Sequence, residues 1–114
     1  MRRIAGVVLG GLILSAPASA APRAESALEC GIAADMAVVA HSLAREQVQR
    51  PKAGAIMARI YDVGGSDRGK ALMQDILAAA YSHDGASSQK FAEDLFATCM
   101  KGGGNMDPVL GQRL

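Results

Sequence analysis

Aromatic residues are few and the net charge is close to zero in this chain of 114 residues. It has no tryptophan, two tyrosines and two phenylalanines, and twelve basic residues nearly balance eleven acidic ones. Without a basic patch interleaved with aromatics, nucleic-acid binding is not expected. Half of the residues are apolar, which argues against disorder over most of the chain, and the length allows one domain.

The longest apolar run lies at the N-terminus, over residues 4–14, and its eleven residues are too few to cross a bilayer. Arg2 and Arg3 precede it, and small residues that a signal peptidase accepts end at Ala20. This order predicts a signal peptide over 1–20 that is cleaved after Ala20, with an uncleaved anchor as the alternative. We therefore expect a periplasmic or secreted protein with no membrane span after cleavage, which keeps ten basic and eleven acidic residues.

Only two cysteines are present, Cys30 and Cys99, and they form no Cys-x-x-Cys motif. No histidine or carboxylate stands at ligand spacing beside them, so a redox pair or a thiolate metal site is not favoured. Two cysteines in a small exported domain normally pair. The sequence predicts one structural disulfide, Cys30–Cys99, whose loop of about 70 residues would stabilise the fold by about 4 kcal/mol.

Apolar residues recur at helical spacing in four segments, and turn-forming residues separate them. The predicted helices cover about 26–49, about 52–61, a third from a cap at Ser66 or Asp67 to Ser82, and a fourth from a cap at Ser87 or Ser88 to Gly102. Their predicted inner faces are Leu28, Ile32, Met36, Val39 and Leu43, widened on one side by Ala33, Ala40 and Ala44; Ala53, Ile56, Met57 and Ile60; Leu72, Met73, Ile76, Leu77 and Ala80; and Phe91, Leu95, Phe96 and Cys99.

The predicted fold is an all-α, small four-helix bundle, regular or irregular, held by one disulfide. An even number of antiparallel helices brings the start of the first and the end of the last to the same end, as the Cys30–Cys99 bond requires. We expect a signal peptide over 1–20, a helical domain over 21–104 and a flexible C-terminal tail over 105–114.

Candidate chemical motifs each have a simpler structural interpretation. The spacing of glycine and lysine over 64–70 matches a phosphate-binding loop, but Ala71 lacks the hydroxyl that would bind magnesium, so a helix-connecting turn is favoured. His41, at the edge of a polar helix face, and His83, at a helix end, are expected to be solvated or cap-linked. Adjacent Glu93 and Asp94 point about 100° apart on a helix, so they cannot act as a facing pair of catalytic carboxylates.

No catalytic, metal or cofactor site is therefore predicted, and we do not expect an enzyme. The five methionines after the signal peptide are assigned to core packing. Export, small size and a disulfide favour a module that binds another protein, of the inhibitor or immunity type. A periplasmic stress or acid chaperone and a carrier of a small apolar ligand are the alternatives. The most interface-like side chains are Arg59, Tyr61, Asp62 and Tyr81.

Overall fold

The computed structural model describes residues 23–62, 66–83 and 85–111, and the predicted signal peptide lies outside them. Within these ranges 76% of the residues are helical and none is in a strand, which confirms the all-α prediction. A short fifth helix follows the four predicted ones. The helices are α1 (Ala27–Arg45), α2 (Arg50–Tyr61), α3 (Asp67–Ser82), α4 (Ser88–Lys101) and α5 (Asp107–Leu110).

Serine hydroxyls cap three of the helices. Ser26 accepts the Glu29 amide at 3.2 Å, and Ser66 and Ser87 accept the amides three residues later, each at 3.0 Å. These bonds satisfy donors that the first turn of a helix leaves free. Proline lies in the first turn of α2, where its missing amide hydrogen costs nothing. α1 ends four residues before its predicted end, and Gln47 in the following turn has a φ of 63°.

α1 is the central helix, and it contacts α2, α3 and α4. The predicted disulfide is confirmed: Cys30 near the start of α1 bonds Cys99 near the end of α4, with 5.7 Å between the Cα atoms. Both half-cystines are buried. At the opposite end of this antiparallel pair, His41 of α1 lies against Ser88 at the start of α4. The two contacts hold α1 and α4 together at both ends.

The buried face of α1 agrees with the predicted one at Ala33, Met36 and Ala40 and differs from it at Leu28 and Ile32. The structure buries Cys30, Ala33, Met36, Ala37, Ala40 and His41, whereas Leu28 is 74% exposed and Ile32 is 41% exposed. Val39 and Leu43 are partly buried at the edge. Small side chains on the side of Cys30 let α3 and α4 approach closely, so this side of α1 is covered. In the same way Ile60 and Phe96, predicted to be internal, are exposed, whereas every predicted core residue of α3 is buried.

Residues 105–111 are packed against the helices, whereas the sequence predicts a flexible tail over 105–114. Met106 is fully buried, and α5 contacts both α3 and α4. The amides of Arg23 and Ala24 donate to the Gly104 carbonyl at 3.1 and 3.2 Å. The packed unit therefore continues past residue 104. The buried Met106 side chain and the hydrogen bonds from Arg23 and Ala24 to Gly104 hold this segment.

Arg23 joins the two ends of the packed unit. Its guanidinium donates to the Gly111 carbonyl at 2.7 Å and lies 3.4 Å from a carboxylate oxygen of Asp75 and 3.2 Å from one of Asp107. The Arg23 side chain is 5% exposed, and the two carboxylates are 30% and 25% exposed. Two acidic groups and a carbonyl replace part of the water that this buried cation loses, and Nη1 contacts Asp107 without forming a hydrogen bond.

Candidate functional site

One side of α1 is apolar yet uncovered. We call Leu28, Gly31, Ile32, Asp35 and Val38 the outer face; all five are exposed. By length and composition alone α1 could cross a membrane, because both its buried and its outer faces are apolar. A helix that is apolar all round normally has all of its faces covered. The large exposed apolar side chains of the described residues are Leu28, Ile32 and Val38 on α1, Ile60 on α2, and Phe96 and Met100 on α4.

A groove between α1 and α2 borders the outer face on one side. We call it the α1/α2 groove; it encloses about 540 Å³ and is lined by Ala27, Leu28, Gly31, Ile32, Asp35, Ile60 and Tyr61. Asp35 is the one charged residue in this lining. The Tyr61 hydroxyl donates to Asp35 Oδ2 at 2.6 Å. Burial, and then the bond to Asp35, raise the pKa of Tyr61, so this tyrosine stays a neutral donor that orients the carboxylate.

A second groove borders the outer face on the α4 side. This α1/α4 groove encloses about 400 Å³ and is lined by Ala34, Val38, Gln89, Ala92, Glu93 and Phe96. Glu93 is its one charged lining residue, and the Gln89 amide donates to Glu93 Oε2 at 3.0 Å. Within the described part of the chain, neither Asp35 nor Glu93 forms an ion pair. Each groove is thus an apolar surface with one carboxylate that forms no ion pair within the described residues, although the charge of Lys90 acts on Glu93.

A smaller cleft lies between the starts of α1 and α3 and the end of α2. It encloses about 220 Å³ over an apolar floor of Ile32, Met36 and Leu72. Arg68 Nη2 donates to Glu29 at 2.6 Å, and its Nη1 lies 3.5 Å from Glu25. The bond from Arg68 lowers the pKa of Glu29, with help from the Glu25 amide. Because these charges neutralise one another, the cleft offers no free charge from Arg68 or Glu29 to a ligand.

His41 is fully buried, which corrects its prediction as a residue at the edge of a polar face. Its Nε2 lies 2.6 Å from the His83 carbonyl, and its Nδ1 lies 2.9 Å from Ser88 Oγ. A carbonyl only accepts, so Nε2 donates to it, and Nδ1 forms the second hydrogen bond of the ring, with the Ser88 hydroxyl. Ser42 in turn donates to Ser88 at 3.2 Å. His83 caps the end of α3 as predicted, and both imidazole rings lie against Phe91.

Nucleophilic catalytic sites also place a serine beside a histidine that a third group orients. Here the Ser88 hydroxyl is bonded on both sides, by Ser42 and His41. Neither Ser88 nor His41 lines the grooves or the cleft described above. The cluster therefore connects α1, α3 and α4, and its chemistry is that of a satisfied buried polar network. Among the described residues, no group of three or more histidine, cysteine or acidic side chains could hold a metal.

The remaining sequence candidates are dispersed. Tyr61 lines both the α1/α2 groove and the cleft, and Asp62 lines the cleft. Arg59 is exposed on α2, whereas the Tyr81 hydroxyl donates to the Val48 carbonyl at 2.5 Å and supports the turn after α1. Of the methionines, Met36, Met57, Met73 and Met106 are buried and Met100 is exposed.

The described part of residues 64–70 does not form a phosphate-binding loop. Gly64 and Gly65 lie outside the described residues, Ser66 caps α3, and Gly69 and Lys70 belong to its first turn. The residues that sequence reasoning missed are Leu28, Ile32, Ile60 and Phe96, which it assigned to the core. Comparison of the chain with protein-family models, with curated proteins and with solved structures finds no match.

Proposed function

We propose that this protein is an exported, non-catalytic module that binds another protein through the outer face of α1 and its two flanking grooves. The observation that carries the proposal is the exposure of large apolar side chains on a helix that forms the centre of the fold. Exposed apolar clusters of this kind, edged by polar groups, are typical of interaction sites. The predicted signal peptide and the disulfide support export, since disulfides persist in oxidising compartments.

Leu28 contributes most to this surface. Fully burying a leucine stabilises by about 1.5–3 kcal/mol, and three quarters of this side chain still contact water. A partner that covers Leu28 would therefore gain about 1–2 kcal/mol from this residue alone. Ile60 across the groove, at 54% exposure, adds a second anchor of the same kind. A partner that covers Leu28 and Ile60 together would remove both apolar side chains from water.

The outer face is also held rigidly before any partner arrives. Cys30 lies between Leu28 and Ile32 in the chain, and its bond to Cys99 anchors this turn of α1 to α4. The Tyr61–Asp35 bond connects the same helix to the end of α2. A surface that is already ordered loses less conformational entropy on binding, which favours affinity. An inhibitor or immunity-type protein needs this property.

The proposal can be tested by photo-crosslinking in cells of the source organism. A photoreactive amino acid would replace Leu28, Ile60 or Phe96 in turn, with Lys52, an exposed residue of α2 outside both grooves, as the control position. We expect adducts of one common partner mass from the three surface positions and none from Lys52. The proposal is contradicted if Lys52 yields the same adduct, or if the three positions yield none.

A variant separates binding from folding. Leu28→Ser combined with Ile60→Ser removes two exposed anchors, so the thermal midpoint should stay within about 3 °C of the parent while the adduct from Phe96 disappears. An adduct from Phe96 that persists at full yield in this variant would show that the partner uses another surface. N-terminal sequencing of the purified protein tests the expected cleavage after Ala20.

A further inference from the structure

The two grooves share one chemical feature that identifies the kind of partner they fit. Each is apolar and contains a single carboxylate, Asp35 or Glu93, that forms no ion pair with a cation of the described residues. We propose that the partner segment is a basic amphipathic helix, whose apolar side chains cover Leu28 and Ile60 and whose lysine or arginine pairs with Asp35. This inference rests on the proposed function and specifies its partner.

Asp35 is prepared to receive a cation. Oδ2 accepts from the Tyr61 hydroxyl, and within the described residues Oδ1 has no hydrogen-bond partner. A purely apolar partner would remove water from this carboxylate without replacing it, which opposes binding. A lysine or arginine restores the lost interactions, so the same carboxylate that rejects an apolar or acidic segment selects a basic one.

Gly31 supports a helical partner. It lies in the interior of α1 and in the lining of the α1/α2 groove, and a Cβ placed on it would meet no atom of the described residues within 4 Å. Packing inside this chain therefore does not require a glycine there, although glycine weakens a helix interior. A missing side chain at this position allows the backbone of a partner helix to lie close to α1, between the anchors Leu28 and Ile60.

The same charges argue against two other occupants. A second copy that used this face around a twofold axis would bring two Asp35 and two Glu93 carboxylates into one interface, and an excess of like charge there opposes association. An anionic membrane surface would be repelled by the same two carboxylates. Both occupants are nevertheless outcomes that the experiment below distinguishes.

The test uses the purified, disulfide-bonded protein after signal cleavage and two designed peptides of 18 residues. The peptides share one leucine pattern and carry lysine or glutamate on the polar face. We expect the lysine peptide to bind about tenfold more tightly at low salt, a preference that added salt reduces. NMR shift changes on binding should concentrate at Leu28, Ile32, Asp35 and Ile60.

Matched variants assign the effect to the groove. Asp35→Asn should weaken the lysine peptide about two- to fivefold and leave the glutamate peptide unchanged or tighter. Glu46→Gln removes an exposed carboxylate just after α1, outside the two grooves, and serves as the control for charge alone. Leu28→Ser should weaken both peptides, because it removes an apolar anchor that the two share.

Several results would overturn the inference. These are equal binding of the two peptides, no binding of the lysine peptide at about 1 mM, equal effects of Asp35→Asn and Glu46→Gln, and shift changes outside the outer face and the α1/α2 groove. Self-association that Leu28→Ser abolishes would make a second copy the occupant, and binding to anionic vesicles that Leu28→Ser abolishes would make it a membrane. A crosslinked partner at Leu28 together with equal peptide affinities would keep the proposed function and reject the basic helix.

Discussion

Replacing Gly31 with alanine should make the protein more stable and a poorer binder. Gly31 is the fifth residue of α1, past the cap, and a Cβ there would meet no described atom within 4 Å. Alanine is favoured over glycine in a helix interior by about 0.8–1.0 kcal/mol. In a domain of this size that gain raises the thermal midpoint by about 4–8 °C. The same methyl group projects into the α1/α2 groove, where it would hold a partner helix away.

Thermal and urea unfolding of the disulfide-bonded protein measure the first effect, and titration with the lysine peptide measures the second. Gly54→Ala is the matched control: it lies inside α2, and its added Cβ would make ordinary contacts with Leu77 at 3.6 Å and Gln74 at 3.9 Å. This control should also gain stability, but with unchanged peptide affinity because it lines neither groove. A less stable Gly31→Ala protein would show that position 31 is not open, and equal affinities in the two variants would remove Gly31 from the binding surface.

Three further predictions concern stability. Cys30→Ser with Cys99→Ser should lower the free energy of unfolding by about 4 kcal/mol, as measured by urea denaturation, because the bond closes a loop with a sequence separation of 69. Arg23→Met should cost about 3 kcal/mol in the same assay, since it removes the buried cation that joins Asp75, Asp107 and the Gly111 carbonyl; a loss below about 1 kcal/mol would contradict the buried ion pairs. The pKa of Tyr61 is raised on folding, so its contribution is present below about pH 10 and is lost as pH rises above it. The urea midpoint should fall above pH 10, and it should fall less steeply in Tyr61→Phe. The absorbance of tyrosinate measures the titration directly, because the chain has no tryptophan.

Local signals predicted most of the helices. Serine caps, Pro51 and the glycine-containing turns are read from a few neighbouring residues, and the capping bonds observed at Ser66 and Ser87 follow from them. The disulfide could be predicted equally well, because two cysteines allow only one pairing. These features depend on short stretches of chain and on simple counting.

Contacts between distant segments could not be predicted in this way. Arg23 follows the predicted cleavage site closely, and nothing in its neighbourhood indicates that Asp75 and Asp107 would surround it. Met106 is preceded by three glycines and an asparagine, a composition typical of an unpacked end, yet it fills a space between helices. The burial of His41 depends on a carbonyl of α3 and a serine of α4, which only the fold brings together.

The buried face of α1 near its start follows from the predicted disulfide and the predicted helix when the two are combined. Successive helix residues are rotated by 100°, so Leu28 and Ile32 each lie about 200° from Cys30, on the opposite side of the helix. If Cys30 must face Cys99 in the interior, then Leu28 and Ile32 at this end of the helix cannot also face inward. The residues that share the side of Cys30 are Ala33, Ala37 and Ala40, and these are fully buried.

The disulfide therefore has a second consequence beyond stability. α1 has two apolar sides, and without a covalent constraint hydrophobic burial alone would favour the side with the larger residues, Leu28 and Ile32. The bond at Cys30 selects the alanine side for the interior, where small residues let α3 and α4 approach, and leaves the larger side chains exposed. A reduced protein would thus lose the basis for choosing between the two sides as well as about 4 kcal/mol. Under reducing conditions the preference for the lysine peptide should disappear at temperatures where the helical circular dichroism signal persists; retention of that preference without the bond would show that packing alone sets the orientation of α1.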